Sequence, residues 1–558
     1  MYSAPRFTLV LTTTLLVLHP NPAATQQQCL IRLTDVTTDT GIDFVHTDGS
    51  SGQRYIVETV SAGVATFDYN NDGLIDILFL NGSPLPGTKC DTQPTQRLYR
   101  NDGNWKFTDV TLQAGLAVTC YALGVAIGDY DNDGYQDIYF NNFGTNLLFR
   151  NNGNGTFTDV THKAGVADSF HVGAGACFLD MDADGDLDLF VSHYVEFTYE
   201  THHVVRFNGY PAYVGPLDYP TTPNVLYRNN GDGTFTDVSA QSGIAAHKGA
   251  GMGMVCADID NDGDTDIVVG NDEIGDFLFV NNGRGQFEEM GLLRGIAYNF
   301  HGKAHGTMGI DCGDYDNDGW LDLFATSYQQ ETALLFRNLG NGFFEDVTTR
   351  TGAGDGTLPL VTWGCAFADL DNDGDRDIFI AAGHLHDNVE LFDTTTTYHQ
   401  RNLVMMNLGN GRFANVSDQC GNGLKVTLSS RGAAFDDLDN DGDIDVVILN
   451  SRREPTILRN DSATANHWLQ LQLRGTRSNK DGVGARVTVV AGDLKLVDEV
   501  HSGRSYQSHF GTRLHFGLGK HDRIDRIEVR WPSSGTQIIE RPPVDKLLIV
   551  TEAVNPRS

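Results

Sequence analysis

The residues in this chain best placed to do chemistry are carboxylates set two apart. Seven times the sequence reads Asp-x-Asp/Asn-x-Asp-Gly-x-x-Asp: DYNNDGLID from Asp68, DYDNDGYQD from Asp129, DMDADGDLD from Asp180, DIDNDGDTD from Asp258, DYDNDGWLD from Asp314, DLDNDGDRD from Asp369 and DLDNDGDID from Asp437. Hard divalent cations take oxygen ligands, and calcium takes roughly six to eight of them at about 2.3–2.6 Å. Side chains at positions 1, 3, 5 and 9, with the backbone carbonyl at position 7, can wrap one ion, and the position-6 glycine permits the turn. The spacing therefore predicts up to seven calcium loops. Their residues are Asp68, Asn70, Asp72, Leu74 and Asp76; Asp129, Asp131, Asp133, Tyr135 and Asp137; Asp180, Asp182, Asp184, Asp186 and Asp188; Asp258, Asp260, Asp262, Asp264 and Asp266; Asp314, Asp316, Asp318, Trp320 and Asp322; Asp369, Asp371, Asp373, Asp375 and Asp377; and Asp437, Asp439, Asp441, Asp443 and Asp445. Carboxylates this dense repel one another without a cation, so the ions are expected to be structural. An EF-hand is excluded as the frame, because position 12 is apolar (Phe140 and Val269, for example) and the flanks read as strands.

The elements that must position these loops recur with them. A glycine stands five residues before each first Asp: Gly63, Gly124, Gly175, Gly253, Gly309, Gly364 and Gly432. β-Branched and aromatic runs such as DILFLN and DIVVGN follow the loops, then segments ending in an Asn turn such as LLFRNNG, then FTDVT-type segments. These compositions predict four strands per repeat, with the Asp loop joining the first two. Seven such units predict an all-β seven-bladed β-propeller. Only six FTDVT-type segments follow the loops, and LTDVT at 33–37 precedes the first repeat. The N-terminal segment is therefore expected to complete the last blade and close the ring.

Composition agrees. The 558 residues carry a formal charge of −34, and acids outnumber bases 73 to 39, which argues against nucleic-acid binding and against association with anionic membranes. Gly is abundant at 62 and Pro scarce at 16, as expected of many tight turns. Arg6, the apolar run from Phe7 to Leu18 and Pro22-Ala23-Ala24 form the pattern of a signal peptide over 1–24, predicting a secreted or periplasmic protein with no membrane insertion. Eight cysteines permit disulfides without fixing the pairing; Cys90 with Cys120 is the favoured pair, and Cys177, Cys256, Cys312 and Cys365 read as buried thiols.

The long insertions, 81–97, 193–224, 291–307 and 381–402, should share the face opposite the Asp loops. They are rich in His, and 193–224 is rich in Tyr and Phe. His384 with His386, then His301 with His305, are the pairs best spaced for a transition metal. Tyr210 and Tyr213 are the candidate aromatic contacts for a glycan. No GxSxG elbow, HExxH, Walker A loop or dinucleotide fingerprint is present.

From about Asn466 the pattern changes to alternating strands such as HWLQLQLRG and GVGARVTVVAG, predicting a small all-β domain. Its Lys480, Arg486, Arg504, Arg513 and Arg530 read as a solvated charged face. The Asp loops with their FTDVT arms resemble FG-GAP/VCBS repeats, as in integrin α-subunit propellers. SNKDGVGARV at 478–487, HFGLG at 515–519 and RWPSSG at 530–535 resemble an ASPIC/UnbV domain. With YIVETVSAGVATFDYNNDG at 55–73, the chain is similar to the cartilage acidic protein family in a bacterial-type form, without an EGF-like C-terminal module. After the signal peptide read at 1–24, the resemblance implies a calcium-binding propeller at 30–461 and an ASPIC/UnbV-like domain at 462–555. It implies an interaction or adhesion scaffold for protein or glycan partners; the alternative is an enzyme with a His-lined site on the face opposite the Asp loops.

Overall fold

Alternation between core-facing β-branched or aromatic residues and glycine turns leaves the chain little choice but short antiparallel strands. The computed structural model describes residues 29–89, 93–168 and 170–554 and is all-β, with helices no longer than one turn. The first repeat shows the plan: Val64–Phe67, Asp76–Phe79, Arg97–Asn101 and Phe107–Asp109 pair in that order in one sheet. The other repeats follow it, and in the last the fourth place is taken by Leu33–Asp35, paired with Thr456–Asn460 as Leu33↔Asn460. Repeats two and three do not form separate sheets. The strand His171–Leu179 starts early enough to pair with the end of Asp137–Gly144, making one eight-stranded sheet. The fourth strands are shorter than FTDVT suggests. The Asp109 carboxylate accepts the Thr111 N–H at 2.9 Å, and this local bond ends the strand and starts a helical turn, Thr111–Ala114.

Two rings of asparagines bind the repeats together. The Asn ending each third strand donates its N–H to the position-9 carboxylate of its own loop, as Asn151 does to Asp137 at 2.7 Å. Its side chain then donates to a carbonyl of the preceding repeat's loop: Asn151 to Tyr69, Asn229 to Tyr130, and so on to Asn460 with Leu370. Asn101 donates to Leu438 at 2.7 Å and closes the circle. In the other direction the position-4 Asn of six loops donates to the position-6 carbonyl of the next, as Asn71 does to Gly134 and Asn440 to Gly73. The third loop has Ala183 at this place.

The C-terminal strands form two sheets, ordered Arg513–Gly519, His467–Arg474, Lys546–Thr551 and Leu494–Glu499, Arg486–Ala491, Arg526–Trp531, Gly535–Glu540. They lie against the Asp loops, and their basic residues are not a solvated face. Arg486 pairs with Glu499 and reaches the Gly319 carbonyl, Arg530 pairs with Asp258, and Arg513 donates to Asn440 at 2.7 Å. The acid surplus of the loops is what draws them in. Between two of these strands, residues 501–510 run into the axis of the propeller. The Val125 N–H donates to the Gln507 carbonyl and the Met254 N–H to that of Ser505; His509 exchanges backbone bonds with Val64 and Thr66. Cys365 N–H donates to Ser505 Oγ, the His501 ring meets the Cys256 carbonyl at 2.9 Å, and Phe510 packs on Phe435 with centroids 5.0 Å apart. A Cβ at Gly63 would stand 1.8 Å from the Gln507 carbonyl oxygen, so the recurrent glycines make room for this segment as well as for one another.

Cys90 lies outside the described residues. Cys120, Cys177, Cys256, Cys312 and Cys365 are free thiols, and Cys29 lies with its sulfur 3.6 Å from that of Cys420, beside the ring-closing strand. Among the described residues no helix is long and apolar enough to cross a membrane.

Two predictions follow from these contacts. Ala183→Asn places the missing donor of the forward ring in a left-handed conformation (φ 57°) that Asn tolerates, and is expected to stabilise the fold by about 1 kcal/mol in denaturant titration. Arg504 and Asp311 form a buried pair at 2.6 Å. Arg504→Leu is expected to cost about 3–5 kcal/mol, with most of it recovered when Asp311→Leu is added.

Candidate metal centre

Each Asp loop is shaped by its own backbone. Asp129 accepts the N–H of Asp133 through one oxygen at 2.9 Å and that of Gly134 through the other at 2.7 Å, and every loop repeats this arrangement. Position 4 has φ between 56° and 62° in all seven loops, which suits Asn and curls the loop inward. In the loops from Asp129, Asp180 and Asp314, oxygens of positions 1, 3 and 9 lie within 4.8 Å of one another; in the loop from Asp258 the trio is positions 1, 3 and 5. One oxygen at position 3 is buried with no hydrogen-bond partner in five loops: Oδ1 of Asp131, Asp182, Asp260, Asp316 and Asp439. A repeated orphan carboxylate oxygen inside an oxygen-only cluster fits a hard cation such as calcium. When bound, the ion would supply the charge that this cluster lacks.

The electrostatics point the same way. Burial, with Asp184 adding to it, pushes Asp180 up to about 7; burial and Asp373 push Asp371 up to about 7. Burial and the neighbouring Asp481 push Asp129 up to about 8. Asp481 comes from the C-terminal domain and accepts the Asp129 N–H at 2.8 Å. Its place in this cluster was not legible in the sequence, where it stands alone in SNKDG. The position-7 side chains of Asp186, Asp375 and Asp443 turn away to accept from Asn132, Asn317 and Asn372. In the first loop Asn70 stands at position 3 and donates to Asp72 at 2.9 Å.

On the opposite face the structure separates the predicted histidines. His301 is exposed on a turn, whereas His305 is buried 3.2 Å from Glu331. His384 is buried with both ring nitrogens engaged: Nδ1 accepts the His386 N–H at 3.0 Å and Nε2 faces Gln329 at 3.2 Å. The pair therefore holds its own turn together. His386 stacks on Tyr213, and both line a cavity of about 330 Å³ whose other walls include Trp363, Met252, Met308, Tyr328, Asp272 and Glu273. Tyr506, from the axial segment, packs on Trp363 with centroids 5.0 Å apart. Arg431 lies across Trp363 at 4.1 Å. Tyr213 donates to Glu58 at 2.9 Å, and Tyr210 is exposed in the strand Tyr210–Ala212.

The FG-GAP-like repeat model matches at 68–140, 129–191, 213–269, 258–325 and 314–380, together over half of the chain. The chain belongs to the FG-GAP-like repeat family. This FG-GAP-like repeat protein also matches the ASPIC and UnbV model at 475–557. It is 24% identical to cartilage acidic protein 1 of Homo sapiens over 457 residues, which is 78% of this chain and 63% of that protein. To cartilage acidic protein 1 of Xenopus tropicalis it is 26% identical, over 74% of this chain and 61% of that protein. It thus spans less than two thirds of the length of these relatives. A solved Agrocybe aegerita lectin that recognises non-reducing terminal N-acetylglucosamine is similar with a TM-score of 0.38 and 19% identity, covering 64% of this chain and 79% of that one.

The raised carboxylates set a pH dependence for the metal-free protein. Groups with folded pKa values near 7 to 8, against 3.8 when unfolded, hold protons in the fold that the unfolded chain has already lost, so the metal-free fold weakens as pH rises from about 4 to about 8 and levels off above that. A calcium ion bound in a loop would replace those protons. Calorimetric titration at pH 7 in buffers of different ionisation enthalpy is expected to show proton release on binding, and affinity is expected to rise from pH 6 to 8.

Proposed function

We propose that this chain is an exported, calcium-binding propeller that works as an interaction scaffold for a protein or glycan. Each loop holds one ion through the residues at positions 1, 3, 5 and 9 and the carbonyl at 7. The three-part division at 1–24, 30–461 and 462–555 belongs to the same reading, and export rests on the signal-peptide pattern at the start of the sequence. The observation that carries the proposal is the orphan position-3 oxygen repeated in five loops. The C-terminal domain covers the loop face, so the partner surface is the opposite one. Its cavity offers aromatic walls beside the carboxyls of Asp272 and Glu273, which suits an apolar group bearing a hydrogen-bond donor. Burial pushes Asp272 up to about 7, and Tyr194 donates to it at 2.7 Å.

A thermal melt with and without excess chelator tests the metal reading. Each site filled at about 100 times its Kd adds about 2.7 kcal/mol, so chelation should lower the midpoint strongly. An unchanged midpoint overturns it. Asp131→Ala should remove one ion from the stoichiometry measured by mass spectrometry under native conditions.

A further inference from the structure

The last repeat is completed by one short strand. Leu33–Asp35 pairs with Thr456–Asn460 over three residues. Its other edge meets the connection that follows Phe413–Asn415, the fourth strand of repeat six. There the Leu33 N–H donates to the Cys420 carbonyl at 2.8 Å and the Asp35 N–H to Asn422 Oδ1 at 3.2 Å. A Cβ at Gly421 would stand 2.5 Å from the Leu33 carbonyl oxygen, so the two backbones are in direct contact. The closing strand is therefore fixed on both edges, and its position relative to residue 420 is set by the backbone.

Two sulfurs meet beside this seam. Cys29 Sγ lies 3.6 Å from Cys420 Sγ, although the residues are 391 positions apart in the chain. Cys420 is buried, with its sulfur 3.3 Å from the Val416 carbonyl oxygen, whereas Cys29 is half-buried. The Cys420 thiol beside it holds Cys29 below the ordinary thiol range, and the same contact, with burial, raises Cys420. The thiolate is the nucleophile of disulfide exchange, so the accessible Cys29 is the sulfur that reacts first and Cys420 the one placed to follow.

We propose that Cys29 and Cys420 are a disulfide-forming pair that locks the closing strand to the ring of repeats. The oxidant is itself a disulfide, small or protein-borne. The Cys29 thiolate attacks one of its sulfurs and expels a thiolate; Cys420 gives its proton to that thiolate, attacks Cys29 Sγ and expels the second. The two cysteines lose two electrons and two protons, and the oxidant leaves as two thiols. The inference rests on the exported reading only for where such an oxidant is met; the pairing itself is argued from the seam. A crosslink that spans nearly the whole propeller acts mainly by restricting the unfolded chain. This is a different pair from Cys90 with Cys120, whose second sulfur lies 3.5 Å from Gln96 Nε2.

The test is oxidation of the purified full chain, in calcium, by excess oxidised glutathione, then blocking of free thiols with N-ethylmaleimide and tryptic digestion without reduction. A species joining the peptide that ends at Arg32 to 413–425 is expected, and it should be absent from Cys29→Ser. In Cys420→Ala the first step should stop halfway, leaving one glutathione on Cys29. Reduction should lower the thermal midpoint of the oxidised parent by at least about 3 °C and leave that of Cys29→Ser in place. No link, Cys29 joined to any other cysteine, or an equal midpoint shift in Cys29→Ser overturns the proposal. Because the oxidant is added to purified protein, such a failure leaves the exported reading standing; a chain that forms the link in this assay but is retained inside the cell overturns export alone.

Discussion

The position-9 carboxylate of each Asp loop holds two backbone N–H groups, one from the loop itself and one from the Asn that ends the third strand. Asp137 does so with Tyr130 at 3.1 Å and Asn151 at 2.7 Å. That fixes the Asn side chain, whose two donors then bridge its own loop and the loop of the preceding repeat. The rest of the molecule depends on this chain of bonds. It is buried, so each member is costly to leave unpaired, and it repeats around the ring, so every loop is positioned by its neighbours as well as by its own strands. Loop geometry and ring closure are therefore one problem, solved by the same residues.

The C-terminal domain adds a second constraint from the same charges. Carboxylate loops crowded on one face create a negative field that basic side chains can neutralise, and Arg530 and Arg513 do so at individual loops. Glu499 accepts the Asp258 N–H, and Gln470 donates to Asp437, so the docking is made of specific bonds as well as attraction. The apolar residues beneath are continuous: Leu471, Val487 and Val529 of the C-terminal sheets belong to one buried cluster with Phe178, Leu189 and Tyr139 of the propeller.

Much of this was legible in the sequence because it is local. Asp spacing, the glycine five residues upstream and the four-strand rhythm are all set within a single repeat, and the ring closure by 33–35 followed from counting FTDVT segments. What was not legible depends on distant partners. The third-strand Asn looked like a turn residue; its bridge to the preceding loop appears only once neighbouring repeats are side by side. Arg504 looked solvated because nothing in GRSYQSHF shows that this segment enters an apolar axis. His384 and His386 attracted attention for their closeness in sequence, yet each spends a nitrogen on backbone N–H groups nearby.

The segment 501–510 touches the innermost strand of every repeat, from Val64 of the first to Phe435 of the last. A chain emerging from its N-terminus in order of synthesis can form hairpins as each repeat appears. It cannot fill its own centre until some 500 residues have been made, nor can the first repeat gain its inner bonding partner before then. Long-range contacts of this kind are slow to form and leave apolar strand faces waiting. Assembly of this molecule is thus deferred, with its earliest strands secured by one of its last loops, and a helper that keeps the nascent repeats apart would act on the stretch between those two events.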